Sequence, residues 1–225
     1  MPNTMPHHHG RHVNAAQIIV CAANLAERTQ LDIMQSALLA QLVADKSATQ
    51  SAGDWQHKYS NNLLRSSWLR SKHTVIRPDL TNRSMAELIS MSASEALDKT
   101  AWRQALSDLH HPLNAPALAV LHESIIKPAG LYLELVMVHS AKSIHTLGLT
   151  LEHMQLPTGK DWLDKALVCT DKTVGSHVEL NTYELQPRYR NVRDSVEEKL
   201  GEWPQKLTIP LHSVDEPDGL IEPSV

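Results

Sequence analysis

The hydrophobic period of this chain changes at Gly130, and that change restricts the fold more than any other feature. Before Gly130, apolar residues recur at helical spacing, as in residues 84–97 and 100–109. After Gly130 they alternate at the period of a β-strand, with Leu131 and Leu133 facing opposite to Tyr132. Helices followed by strands indicate the α+β class. We therefore predict an α+β fold in which a helical N-terminal layer packs on a mainly antiparallel β-sheet or sandwich.

The chain reads as a single domain between two tails. Residues 1–13 and 215–225 are predicted to be a flexible and a loose tail, and residues 14–214 one α+β domain. That domain is helix-rich over 14–127 and strand-rich over 130–214, with no Pro/Gly-rich linker between the halves. A chain of 225 residues can bury a full core, and because Phe is absent that core must be mainly aliphatic.

Local patterns place the individual elements. Thr29 starts an opening helix at about Gln30–Lys46, Asp54 caps a second, and Ser84 with Glu87 forms a capping box for a third. A first strand is predicted at Gln17–Ala22, with a short helix as the alternative, and the second helix is predicted to extend to Trp68. Further helices are predicted at 100–109, 117–126 and 187–203. The predicted strands are a hairpin of 131–140 with 144–153, followed by 165–170, 176–185 and 206–214.

Twelve uncharged residues, Ile33–Ala44, raise the question of a membrane segment. As a helix they would span about 18 Å, short of a hydrocarbon core of about 30 Å. Their apolar residues surround the helix almost completely, whereas a helix lying on a membrane has a distinct polar face. A central buried helix is predicted, and a membrane-active toxin component is the alternative. Without a transmembrane segment or a secretory signal, the protein is expected to be cytoplasmic, or exported without a classical signal peptide.

The net charge restricts the kind of partner, and the cysteine content restricts the possible disulfides. A formal net charge of −4 and a pI near 6.4 argue against nucleic acid as a partner, so we expect a protein partner or self-association. Cys21 and Cys169 both lie in apolar, strand-like runs, which favours buried free thiols over a disulfide.

Histidines supply the candidate metal ligands. His139, His145 and His153 flank or end the predicted hairpin strands, with Glu134 and Glu152 in the same pair. Two imidazoles and a carboxylate suit zinc, so a metal-dependent hydrolase is one alternative function. The competing interpretation is that strand-end histidines are solvated. The N-terminal histidines of "HHHGRH", residues 7–12, are interpreted as part of a tail.

A basic cluster supplies the candidate partner surface. Arg65, Arg70, Lys72 and Arg77 surround Trp68 and could contact phosphates or an acidic partner. The alternative is an ordinary charged surface. The sequence has no nucleophile elbow or glycine-rich phosphate loop, and no cofactor is expected.

Two segments carry a resemblance to a known family. The segment "DIMQSALLAQLVADK" (Asp32–Lys46), with the aromatic and leucine positions that follow it, resembles a family of uncharacterised bacterial and fungal proteins. "YRNVRDSVEEKLG" (Tyr189–Gly201) is similar to the ending of that family, although the absence of Phe departs from its pattern. The resemblance implies an accessory role linked to bacterial toxins, and it carries over no catalytic residue. We therefore predict a non-enzymatic binding or accessory protein that forms part of a bacterial toxin or virulence system.

Overall fold

A mixed β-sheet forms the centre of the molecule. The computed structural model describes residues 10–48, 50–93, 98–159, 161–169 and 175–213. Its strands are β1 (Arg11–Asn14), β2 (Gln17–Cys21), β3 (Trp68–Ile76), β4 (Ile126–Lys127), β5 (Gly130–Ser140), β6 (Ser143–Glu152), β7 (Met154–Gln155), β8 (Val168–Cys169), β9 (His177–Leu185) and β10 (Thr208–Pro210). Eight of them form one sheet in the order β10-β1-β2-β5-β6-β9-β3, with β4 on β5, while β7 and β8 pair separately.

The sheet is mostly antiparallel. The predicted hairpin is confirmed as β5 and β6, whose register runs from Gly130 opposite Glu152 to Ser140 opposite Ser143. Strand β2 runs parallel to β5, and the chain between them holds five helices among the described residues. The α+β class and the mainly antiparallel sheet are therefore confirmed.

The predicted packing of N-terminal helices on the sheet is confirmed, and the central strand β5 is buried on both of its faces. The helices are α1 (Glu27–Ser47), α2 (Ala52–Arg65), α3 (Met85–Ser92), α4 (Lys99–Leu109), α5 (Ala115–Ile125), α6 (Arg193–Leu200) and α7 (Trp203–Leu207), with 3-10 turns at Pro112–Asn114 and Pro187–Asn191. Adjacent strand residues point to opposite faces, and Leu133 and Glu134 are both buried. Helices α1 and α2 cover the Glu134 face, where Gln41 and Tyr59 hydrogen-bond to Gln17. Helix α6 packs against α1, and α3, α4 and α5 also contact the sheet.

The uncharged segment Ile33–Ala44 forms the middle of α1 and is mostly buried, as predicted. Ile33, Ala37 and Leu38 are inaccessible to solvent, although Val43 is 39% exposed. The helix begins at Glu27, one turn before the predicted start, and its first turn receives no side-chain cap. The capping role given to Thr29 is therefore wrong.

The second helix ends earlier than predicted. Ser51, not Asp54, caps α2, and the helix stops at Arg65. Ser67 adopts a left-handed backbone with φ of 69°, which turns the chain so that Trp68 begins strand β3. The capping box of Ser84 with Glu87, in contrast, is confirmed by both of its hydrogen bonds.

The C-terminal helix predicted over 187–203 is broken, and two of its charged residues pair with α1. A 3-10 turn, α6 and α7 replace one continuous helix over 187–203. Arg193 and Glu197 do not pair along α6; the Arg193 guanidinium bonds to Asp32, and Glu197 accepts from Arg28 at 2.7 Å. Both charges thus fasten α6 to α1.

Several predictions fall at the limits of the described residues. Strand β1 starts at Arg11 and includes His12, inside the segment predicted to be a tail. Residues 1–9, 94–97 and 215–225 lie outside the described ranges. The predictions made for these residues therefore also lie outside the described part of the chain. No disulfide joins the cysteines: Cys21 is buried, which raises the pKa of its thiol to about 12, whereas Cys169 is exposed, contrary to prediction.

Candidate functional site

An apolar pocket of about 930 Å³ opens between α5 and the chain that follows β6. Its volume lies within the range of small-molecule sites, about 300–1,000 Å³. Helix α5 forms one wall, the turn before β5 forms the floor, and β7 with the following loop forms the opposite wall. The apolar lining includes Leu118, Ala119, Ile126, Leu131, Met154, Leu156 and Trp162.

The floor of this pocket has an unusual backbone. Ala129 and His153 both adopt left-handed conformations, with φ of 51° and 57°, and the His153 N–H donates to the Ala129 carbonyl oxygen at 2.8 Å. Beside them, a Cβ on Gly130 would lie 2.3 Å from the carbonyl oxygen of Leu151, so only glycine permits this approach of β5 to β6. Non-glycine residues in left-handed conformations carry strain, and such residues concentrate at binding sites.

Lys127 lines the pocket without giving it a positive charge. Its Nζ lies 2.7 Å from the Asp45 carboxylate and 4.1 Å from the centre of the Trp55 ring. Burial lowers the pKa of Lys127, and the contact with Asp45 opposes that effect. Because Asp45 and Trp55 hold the ammonium group, the lysine offers mainly its aliphatic stem to the pocket.

The polar side chains along the pocket are those of Lys127, His122, Glu123, His153, Gln155 and Thr158. His122 is half-buried, and its ring is roughly perpendicular to that of Trp162, with the two ring centres 5.5 Å apart. Glu123 and His153 are exposed. The described residues contain no group of three or more His, Cys, Asp or Glu placed to hold a metal ion. This arrangement is suited to holding an apolar molecule whose polar end remains near solvent.

The three predicted metal ligands do not come together. His139 and His145 face each other at the closed end of the hairpin, with ring centres 5.6 Å apart. His153 follows the other end of β6, eight residues beyond His145, or about 26 Å at about 3.3 Å per residue. A site that uses all three is therefore wrong, and Glu134 is buried away from both ends. His145 instead lies within hydrogen-bond range of Ser143 and Thr182.

Trp68, the aromatic residue of the predicted partner surface, is buried. Trp68 is only 2% exposed, and its indole N–H donates to the Ser36 hydroxyl at 2.9 Å. It packs edge-on against Tyr183, so it belongs to the core and the prediction of a partner contact through Trp68 is wrong. The basic residues Arg65, Arg70, Lys72 and Arg77 are all exposed.

A buried polar cluster that the sequence analysis missed lies beneath α1 and α2. Glu134 on β5 is 2% exposed and accepts from the Tyr59 hydroxyl and the Gln17 amide, each at 2.6 Å. Thr146 and Tyr132 also hydrogen-bond to this carboxyl group. Burial raises the pKa of Glu134, and the hydrogen bonds from Tyr59, Gln17 and Thr146 work in the other direction.

A second carboxylate lies on the same face. In the sheet register Glu134 stands opposite Gly148, and Gly148 stands opposite Glu179. Glu179 accepts from Gln56 of α2 at 2.6 Å. Burial by itself would raise the pKa of Glu179, but His177 and other donors outweigh it and the pKa is lowered. The two carboxylates are covered by α2, so they form a polar core and not an open active site.

The signal for this cluster is present in the sequence. Gln17, Glu134 and Glu179 each interrupt an otherwise apolar strand pattern at a position that points toward a sheet face. Alternation assigns such positions to solvent. Only a helix layer over that face makes them buried.

The opposite pKa shifts of Glu134 and Glu179 predict opposite effects of pH on the free energy of unfolding. Glu134 binds a proton more tightly in the folded protein than its usual pKa of 4.5 implies, so its contribution is present below that pH and is lost as pH rises through the raised pKa. We expect Glu134→Gln to flatten the decline of unfolding free energy on the alkaline side. Urea denaturation followed between about pH 4 and about pH 8 measures this slope.

Glu179→Gln is the matched control. Because the pKa of Glu179 is lowered, its contribution is present above the usual 4.5 and is lost as pH falls through the lowered value. Glu179→Gln should therefore change the free energy of unfolding only on the acid side of its pH dependence. Equal alkaline slopes in wild type and Glu134→Gln would contradict the assignment.

Among the described helices, none is long and apolar enough to cross a membrane. A scan against protein-family models, a search of curated proteins and a search of solved structures find no match to this chain.

Proposed function

We propose that this protein is a non-enzymatic binding protein and that the pocket beside α5 holds a mainly apolar small molecule. The observation that carries the proposal is the pocket itself, whose lining is predominantly apolar and whose floor contains the strained residues Ala129 and His153. Small-molecule sites are concave and lined mostly by apolar side chains with a few polar groups, and this pocket has that form. The separated histidines and the covered carboxylates support binding over catalysis.

The ligand should be oriented by the distribution of polarity. Its apolar body would contact Leu118, Met154 and Leu156, and a polar end would lie near His122 and Glu123. The wall formed by α5 presents alanines, so the ligand can approach the helix backbone closely. Affinity would come mostly from removal of apolar surface from water, about 25 cal/mol per Å².

Filling the pocket tests this proposal. Ala119 is exposed on the pocket wall, so Ala119→Trp should occupy the space without disturbing the core. We expect the affinity for the uncharged fluorescent probe N-phenyl-1-naphthylamine to fall about tenfold or more, because a bulky ring replaces the ligand's contacts. Fluorescence titration measures the dissociation constant.

Two control variants separate occupation of the pocket from unrelated effects. Ala119→Ser keeps the volume of the side chain and should bind as wild type does. Ser107→Trp adds a tryptophan at an exposed position on α4, outside the pocket, and should also leave binding unchanged. Unaltered probe affinity in Ala119→Trp, with near-UV circular dichroism like that of wild type, would refute the pocket as the binding site.

The biological setting is proposed from the family resemblance alone. On that basis the protein would serve as an accessory component of a bacterial toxin or virulence system, with a protein partner or a second copy of itself. It would act in the cytoplasm or after export without a classical signal peptide. A liposome-leakage assay at neutral and acidic pH tests the alternative of a membrane-active component, which predicts leakage.

A further inference from the structure

The two edges of the main sheet differ in how they are protected. At one edge, β10 has three residues and ends in Pro210, features that discourage pairing with another strand. At the other edge, β3 has nine residues and pairs on one side with β9; no described strand lies on its other side. The outer row of backbone N–H and C=O groups on β3 is therefore available for hydrogen bonds.

Strand β3 is anchored at its start and open along the rest of its length. Trp68 is buried, but every later residue of the strand is exposed. Leu69 and Val75 are each 51% exposed, and Ile76 is 38% exposed. This combination of free backbone and accessible apolar side chains is what strand addition requires.

The same edge carries a uniform positive charge. Arg65, Arg70, Lys72 and Arg77 lie in or beside β3, and residues 65–77 contain no Asp or Glu. None of these four forms an ion pair with a described residue. Arg70 interacts with the Tyr183 hydroxyl, and no carboxylate of the described residues neutralises the four charges.

The hairpin histidines lie next to this basic region on the sheet. Lys72 stands opposite Thr182 of β9, which stands opposite His145 of β6, so the three lie in one row. His139 faces His145 from β5. The two clusters singled out in the sequence, one basic and one of histidines, are therefore neighbours at one corner of the sheet.

We infer that β3 binds an extended acidic segment of a partner protein, which adds to the sheet as a further strand. Backbone hydrogen bonds would align the segment along β3, and its carboxylates would pair with Arg70, Lys72 and Arg77. A second copy of this chain fits less well, because two β3 strands would bring the same positive charges together. This inference is independent of the pocket and does not rest on its ligand.

Binding of a designed peptide tests the inference. The probe is a fluorescein-labelled peptide as long as β3, alternating glutamate with valine and threonine, and its control carries lysine in place of glutamate. We expect the acidic peptide alone to raise fluorescence anisotropy. The double variant Arg70→Glu with Lys72→Glu should weaken binding about tenfold or more, whereas Arg103→Glu, at an exposed position on α4, should not.

Hydrogen exchange separates strand addition from a purely electrostatic contact. A saturating acidic peptide should slow exchange of backbone amides in residues 68–76, because outward-facing N–H groups become hydrogen-bonded. Binding without protection of β3, equal binding of the lysine peptide, or no binding would each overturn the inference. If the acidic peptide fails to bind while Lys72→Thr causes dimerisation in light scattering, the edge charges serve only to prevent self-association.

Discussion

Replacing Trp55 by alanine is expected to lower the free energy of unfolding by about 3–5 kcal/mol. Trp55 is inaccessible to solvent and stacks on Tyr59 at 5.2 Å and against Tyr132 at 4.6 Å. Its indole N–H donates to Asp45 at 2.6 Å, and Lys127 lies over its ring. The substitution therefore leaves a cavity where α2 meets the sheet and also removes a partner of the Asp45–Lys127 pair.

Trp203→Ala provides the matched comparison for this loss. Trp203 is 47% exposed on α7, so its truncation removes little buried surface and should change stability by about 0.5 kcal/mol or less. Urea denaturation followed by circular dichroism measures both variants. Similar losses in the two proteins would mean that Trp55 does not hold α2 to the sheet.

Replacing Gln17 by leucine is the second large expected effect, a loss of about 3 kcal/mol from orphaned buried groups. The Gln17 amide donates to Glu134 and Tyr59, and its carbonyl oxygen accepts from Asn14 and Gln41, each at 3.0 Å. All five residues are buried, so none can turn to water for a replacement. Leucine has a similar volume, and hence the loss would report hydrogen bonding more than packing.

Gln205→Leu is the control for this substitution, because Gln205 is exposed on α7. Its free energy of unfolding should stay close to that of wild type. Combining Gln17→Leu with Glu134→Gln gives a further test through a double-mutant cycle. Additive losses would show that the two side chains are not coupled, contrary to the hydrogen bond between them.

Local sequence signals predicted what depends on neighbouring residues in the chain. The capping box of Ser84 and Glu87 formed as expected because both of its hydrogen bonds close within one helical turn. Strand alternation predicted the β5–β6 hairpin for the same reason. The C-terminal helix was predicted less well: it is divided into a 3-10 turn, α6 and α7, and its Arg193 and Glu197 contact Asp32 and Arg28 of the distant α1.

The candidate pocket could not have been predicted in this way. Its walls come from α5 and from the chain after β6, and its floor depends on the left-handed Ala129 and His153, residue types that give no local signal for that backbone. Nor does a basic run such as residues 65–77 reveal whether it lies on a helix, an edge strand or a buried strand. The sheet order makes β3 an edge, and strand order depends on distant pairings.

By itself the sequence determined the α+β class, the hairpin and the burial of Ile33–Ala44, because hydrophobic period and helix length follow from residues close together in the chain. Only the tertiary structure decided which polar residues are buried and which strand lies at the edge. Helix cover turned Glu134 into a core residue, the length of β6 separated His153 from His139, and the strand order left β3 at an edge. Each of these outcomes depends on contacts between segments far apart in sequence, where short-range patterns carry no information.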